Sequence, residues 1–207
     1  MKIIGIAGVA GAGKDLFFDL LSEELECKKF SLAEELKEEV KNHCIKYYNT
    51  DPTKCTRNEK NLIRPLLVGH GTIKREQTSG RYWIEKLEPK IKDFIFNNYI
   101  KNSNKNSTLP CITDIRYDEY EKDEIHWLKK EMNGVLVHVS KFKRGPKGKL
   151  HFLNPANEQE AINNPKAYKA ADYLLQWEHI EDSPSEIKRR LKQSGIKDFI
   201  KWFKKIT

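Results

Sequence analysis

Gly8-Val9-Ala10-Gly11-Ala12-Gly13-Lys14 carries the pattern Gly-x4-Gly-Lys. Glycines at this spacing let backbone amides turn toward one point, and the lysine adds a cation within reach of it. That is the chemistry of binding a phosphate chain, with Lys14 reaching the β- and γ-phosphates of a nucleotide. Asp15 stands where a Ser or Thr commonly follows the lysine and holds magnesium. A carboxylate is also a hard oxygen ligand, so Asp15 either takes that role or complements the positive end of a following helix; both stay open. A second constellation is Asp114-Ile115-Arg116. Residues two apart on a strand share a face, so Asp114 and Arg116 point together. The carboxylate can order magnesium or its water, and the guanidinium can grip a phosphate with two donors.

Such residues need a frame. Lys2-Ile3-Ile4-Gly5-Ile6-Ala7 suits a buried strand before the glycines, and a helical pattern runs from Asp15 to Cys27 after them. This strand–loop–helix context distinguishes a phosphate loop from a chance glycine cluster, and the helix N-terminus adds partial positive charge. Further strands are expected at 28–31, 109–114, 134–139 and 172–176. Short apolar runs alternate with helical patterns, which predicts an α/β fold: a parallel sheet of about five strands flanked by helices. Asp114 and Arg116 then fall at the carboxyl edge of that sheet, where open α/β folds place ligands.

Helices are expected at 31–48, opened by capping-box spacing from Ser31 to Glu34, and at 58–75, 81–99 and 184–206. Asn49-Thr50-Asp51-Pro52 breaks the first, and Pro89 marks a kink. In the last, Ile187, Leu191, Ile196, Phe199, Ile200 and Phe203 form a core-facing stripe. Residues 101–107 read as a polar loop.

The 207 residues suit one domain with a mobile subregion. No apolar run approaches membrane-spanning length, and the first residues enter a strand without the basic–apolar–cleavage pattern of a secretory signal. Cys27, Cys44, Cys55 and Cys111 lack metal or redox spacing, which points to reduced thiols in the cytoplasm, or the host cytoplasm for a viral protein. The net charge of +8 is local: residues 141–207 hold 15 Lys and Arg against 8 Asp and Glu. Lys141, Lys143, Arg144, Lys147 and Lys149 cluster without an acid among Gly145, Pro146 and Gly148. This mix suits a lid over phosphates across about 141–170, or a solvated basic loop. A polyphosphate explains the charge better than nucleic acid does.

These motifs resemble the deoxynucleoside monophosphate kinases of large bacteriophages and their bacterial and viral relatives, with phosphomevalonate kinase a more distant member. Gly13-Lys14-Asp15 resembles the family's variant phosphate loop. Ser31-Leu32-Ala33 with Leu36-Lys37, Arg64-Pro65-Leu66-Leu67 with Gly71-Thr72, Arg81-Tyr82-Trp83-Ile84, Asp114-Ile115-Arg116, Val137-His138-Val139 and Asp172-Tyr173-Leu174-Leu175 are similar to further family segments. Val68 stands in place of a usual glutamine, and His70 at a position often small or apolar. The chain lacks the Asp-Arg-Tyr/Phe signature of thymidylate kinases and the Gly-x-Pro-Arg segment of adenylate kinases.

The resemblance implies a P-loop kinase fold and transfer of the γ-phosphoryl of ATP, with Mg2+, to a (deoxy)nucleoside monophosphate. In that reading Val9, Ala10, Gly11, Ala12, Gly13, Lys14 and Asp15 bind ATP. Lys37, Arg64, Arg75, Trp83, Asp114 and Arg116 bind the acceptor within a helical region of about 32–100. Lys141, Lys143 and Arg144 form the lid, Asp15 and Asp114 support the metal, and Lys14, Asp114, Arg116 and Arg144 are catalytic. A homodimer stays open. The alternatives are a phosphomevalonate-type small-molecule kinase and a nucleic-acid-binding ATPase.

Overall fold

β1 (Ile4–Ala7) is the middle of the sheet, and its register sets everything near the phosphate loop. It pairs in parallel with β3 (Leu109–Ile112) on one side and β4 (Val135–Arg144) on the other. β2 (Cys27–Phe30) adds in parallel to β3, and β6 (Tyr173–Glu178) in parallel to β4. The computed structural model describes residues 2–101 and 108–206, so most of the polar loop expected at 101–107 lies outside the described residues.

The sheet departs from the expected all-parallel arrangement. β4 runs on through Arg144, and β5 (Leu150–Phe152) folds back antiparallel on its end, giving a mixed six-stranded sheet. Phe142 pairs with Phe152 and also with Glu178, so β5 and β6 lie on opposite edges of β4. β5 therefore continues the edge that β1 leaves at His138. Residues 141–144, expected in an irregular lid, are strand, because they extend an already paired β4. The hairpin turns at Gly145–Lys149, where Lys147 and Gly148 take positive φ.

Both faces of β1 and β4 are buried, as a sheet covered on two sides requires. Ile4, Ile6, Val137 and Val139 face α1 (Lys14–Ser22) and the C-terminal helices. Ile3, Ala7 and Leu136 face α4 (Tyr82–Lys101) and α6 (Glu158–Ala170). α1 ends at Ser22, short of the expected Cys27, which already lies in β2. The stripe expected over 184–206 does pack into the core, but its helix is broken into α7 (Pro184–Leu191), a π turn (Lys192–Ile196) and α8 (Lys197–Ile206).

α2 (Leu32–Tyr48) and α3 (Arg57–Gln77) stand beside the carboxyl edge. Ser31 caps α2 by accepting from the Glu34 amide, and Thr56 with Glu59 forms a full capping box on α3. α4 continues through Pro89. A short helical segment, α5 (Glu124–His126) with its π continuation to Glu131, precedes β4.

Candidate active site

The phosphate loop closes as its glycines require. Gly8 has φ 137°, and a Cβ there would meet the Val139 carbonyl oxygen at 2.2 Å. Gly13 has φ 93°, and a Cβ there would meet the Trp177 ring at 2.5 Å. Only glycine fits either position. Trp177 also donates its indole N–H to Ala12 O at 2.8 Å, so β6 fixes the loop from behind. Lys14 Nζ turns back to donate to Gly8 O at 2.6 Å and Val9 O at 3.0 Å. Burial, reinforced by the Arg116 charge, holds its pKa down at about 8 against the opposing pull of Glu160, Asp114 and Asp15.

β3 stops at Ile112, short of the strand expected over 109–114, so Asp114 lies in a turn and Arg116 in the irregular chain after it; both line one cleft of about 620 Å³, with Gly8 and Val9 at its end. Asp114 fastens the start of α2: Oδ1 accepts from Leu32 N at 2.9 Å, and Oδ2 accepts from Ser31 Oγ at 2.9 Å and Ala33 N at 2.7 Å. A carboxylate at a helix N-terminus is favourably placed. Asp114 therefore sets where α2 stands relative to the loop. Asp15 lies elsewhere: its side chain is largely exposed and pairs with Lys29 at 2.7 Å.

The opposite wall comes from α2 and α3. Lys37, Lys60 and Arg64 line the cleft with Arg116. Lys37 pairs with Glu34 on its own helix and Arg64 reaches Asn61, while Lys60 has no ion-pair partner among the described residues. Burial and the charges of Lys37, Arg64 and Arg116 hold the Lys60 ammonium below the usual lysine range. Leu36, Leu67, Val68 and Trp83 supply apolar lining, and the Trp83 indole N–H donates to Gly71 O at 3.3 Å.

Arg75 is held differently. It is buried, with Asp123 at 2.9 and 3.0 Å, Glu119 at 3.3 Å and Glu124 at 3.4 Å, and its guanidinium lies 3.6 Å from the Tyr117 ring centre. Burial pushes the Glu124 carboxyl up to about 8, even with Arg75 pulling it down. Its Oε2 accepts from the Arg116 and Tyr117 amides at 2.7 and 3.1 Å, which holds the backbone behind Arg116.

The basic strand end does not reach the cleft. Lys143 pairs with Glu181 at 3.3 Å and Arg144 with Glu178 at 3.0 Å, both exposed. Lys141 lines a second, smaller cleft beside Ser140 and Phe152. What lies over the loop is the base of the hairpin, with Leu153 Cδ2 3.3 Å from a Cβ built at Gly11. Of the aromatics that could stack on a base, Tyr47 and Tyr48 are exposed on α2 and Tyr82 donates to Glu39; Trp83 alone of the four lines the cleft.

Two cleft residues escaped the sequence reading. Lys60 sits four residues before Arg64, a spacing that puts both on one helix face. Glu160 accepts from Ala10 N at 3.1 and 3.2 Å and pairs with Arg116 at 3.4 Å. The Asn157-x-x-Glu160 spacing is a helix-start signal that could have exposed it.

No family model and no curated protein matches the chain. Among solved structures, it is similar to a dephospho-CoA kinase from Campylobacter jejuni, at 13% identity and TM-score 0.43 over 96% of this chain and 98% of that one. It is also similar to a sugar kinase from Janibacter sp. HTCC2649, at 9% identity and TM-score 0.40 over 99% and 95% of the two chains. Likenesses this distant carry no argument about the site. Among the described residues there is no group of three His, Cys, Asp or Glu able to hold a metal, and no helix long and apolar enough to cross a membrane.

Proposed function

We propose that the chain transfers the γ-phosphoryl of ATP to the phosphate of a (deoxy)nucleoside monophosphate, giving the diphosphate. The observation that carries this is the junction of two anion sites. A phosphate loop opens into a cleft whose far wall presents Lys37, Lys60, Arg64 and Arg116. One polyphosphate at the loop and one monophosphate at the wall would bring two phosphoryl groups together. Transfer of this kind needs alignment and charge neutralisation more than a strong base.

In this reading the loop amides and Lys14 hold the donor, and Lys14 leaves the Gly8 and Val9 carbonyls for the phosphates. Lys37, Lys60 and Arg64 hold the acceptor phosphate, and Arg116 stands between the two. The apolar lining around Trp83 takes the nucleoside. Asp114, and Asp15 once freed from Lys29, offer the hard oxygens that suit magnesium; Asp114 already accepts three hydrogen bonds and would act through metal-bound water. Magnesium would neutralise charge on the donor phosphates. In the basic third, Lys143, Arg144, Arg189 and Arg190 pair with neighbouring acids, so these four cations offer a nucleic acid less free charge than the sequence count suggests.

The test is a product assay with ATP-magnesium and each monophosphate separately, with phosphomevalonate as a non-nucleotide acceptor. Diphosphate formation with a nucleoside monophosphate, lost in Lys14→Ala, supports the proposal. No transfer to any nucleotide, or transfer only to phosphomevalonate, overturns it.

A further inference from the structure

Glu160 is the third residue of α6, the position from which a capping-box glutamate normally returns to its own cap. The cap itself is present: Asn157 accepts from the Glu160 amide at 2.9 Å. The glutamate side chain, however, does not return to the Asn157 amide. Oε2 accepts from Ala156 N at 3.0 Å, and both oxygens lie within 3.2 Å of Ala10 N, 150 residues away in the phosphate loop. Arg116 Nη1 lies 3.4 Å from Oε1. The residue is 8% exposed.

Three donors thus converge on one carboxylate: a phosphate-loop amide, a second amide and a guanidinium. Convergence of this kind is what a phosphoryl group requires. Buried donors left unfilled would cost stability, so a protein that keeps such a cradle gains from an internal occupant. Lys14 is likewise turned onto loop carbonyls. Donor phosphates need the Ala10 amide, and a carboxylate in that place would repel them.

We propose that Glu160 is an internal phosphate surrogate. It occupies the cradle of Ala10 N, Ala156 N and Arg116 in the unloaded protein, and a polyphosphate displaces it. Its release frees Arg116 and the start of α6 only when a ligand of sufficient charge has arrived. A singly charged anion gains too little to replace a tethered carboxylate, so the device also keeps the loop clear of small anions. The inference rests on the phosphate-loop part of the proposed function.

Glu160→Gln keeps the shape and one acceptor oxygen and removes the charge. Titrating ATP and inorganic tripolyphosphate into wild type and variant should show tighter binding to the variant, by about tenfold or more. Equal or weaker binding overturns the proposal. A wild type that binds neither ligand overturns the phosphate-loop reading and this proposal with it; binding without the gain in Glu160→Gln overturns this proposal alone. A second measurement needs no variant. Ala156 loses its acceptor on loading, so amide exchange across 154–158 in the wild type should quicken when tripolyphosphate binds. Unchanged or slower exchange there overturns the displacement.

Discussion

The two ends of the cleft use arginine in opposite ways. Beneath it, Arg75 is 5% exposed and enclosed by Asp123, Glu119 and Glu124. Across from it, Arg64 hydrogen-bonds Asn61 and lines the cleft with Lys37 and Lys60, and among the described residues no carboxylate pairs with Lys60. The first arginine is held by its own protein; the second leaves charge unspent for something else. Lining a cleft is therefore no sign of binding. The partners already present decide, and those partners lie far away in the chain: Asp123 is 48 residues from Arg75.

The contrast breaks most sharply at Arg75. Removing it leaves buried carboxylates without their cation, so Arg75→Ala should lose about 3–5 kcal/mol of stability. Urea unfolding measures this, and an unchanged midpoint would return Arg75 to the class of free cations. Arg64→Ala should do the reverse. Its unfolding midpoint should stay within about 0.5 kcal/mol of wild type, as for a surface change. Acceptor use should weaken by about 2 kcal/mol or more, roughly thirtyfold, with ATP binding little altered. Lys60→Ala should follow it with about a tenfold loss, near 1.4 kcal/mol. Parallel losses for donor and acceptor would place these residues outside an acceptor site.

Glu39 sharpens the comparison from the acid side. It resists burial by collecting Lys86, His70 and Tyr82, which hold its carboxyl down at about 2 and tie α2 to α3 and α4. A lowered carboxyl pKa stabilises the fold above the ordinary value of 4.5, and that contribution is lost as pH falls toward 2. Wild type should accordingly lose more stability than Glu39→Gln between pH 5 and about pH 2.5. Equal losses in the two proteins would show that Glu39 is not a proton-linked tie. The smallest effect belongs to the exposed pairs Lys143–Glu181 and Arg144–Glu178. Neutralising both cations should change stability by less than about 1 kcal/mol. A larger loss on thermal unfolding would mean the hairpin is held by charge.

What the sequence discloses follows from how local each signal is. The glycine loop's turn, the Ser31 cap and the core strands depend on residues a few positions apart, and all were legible; the strand face expected to carry Asp114 and Arg116 was not, because β3 stops at Ile112. β5 was not, because Leu150, His151 and Phe152 are all exposed and their apolar members face no periodic core. α6 was hidden by Pro165 and a run of polar residues, and Glu160 was lost with it. The break in the C-terminal helix falls at a π turn that an intact apolar stripe does not betray. The pairing of Arg75 was hidden for a different reason: its carboxylates come from a segment with no sequence link to its helix.

The Trp177 indole that braces Ala12 sits 165 residues downstream of the loop it shapes. During synthesis the aromatic wall leaves the ribosome 165 residues after the loop it backs. If the loop holds nucleotide as proposed, the nascent chain stays blind to it until β6 has emerged and docked. Nucleotide capture by stalled chains of increasing length would then switch on abruptly once β6 is out.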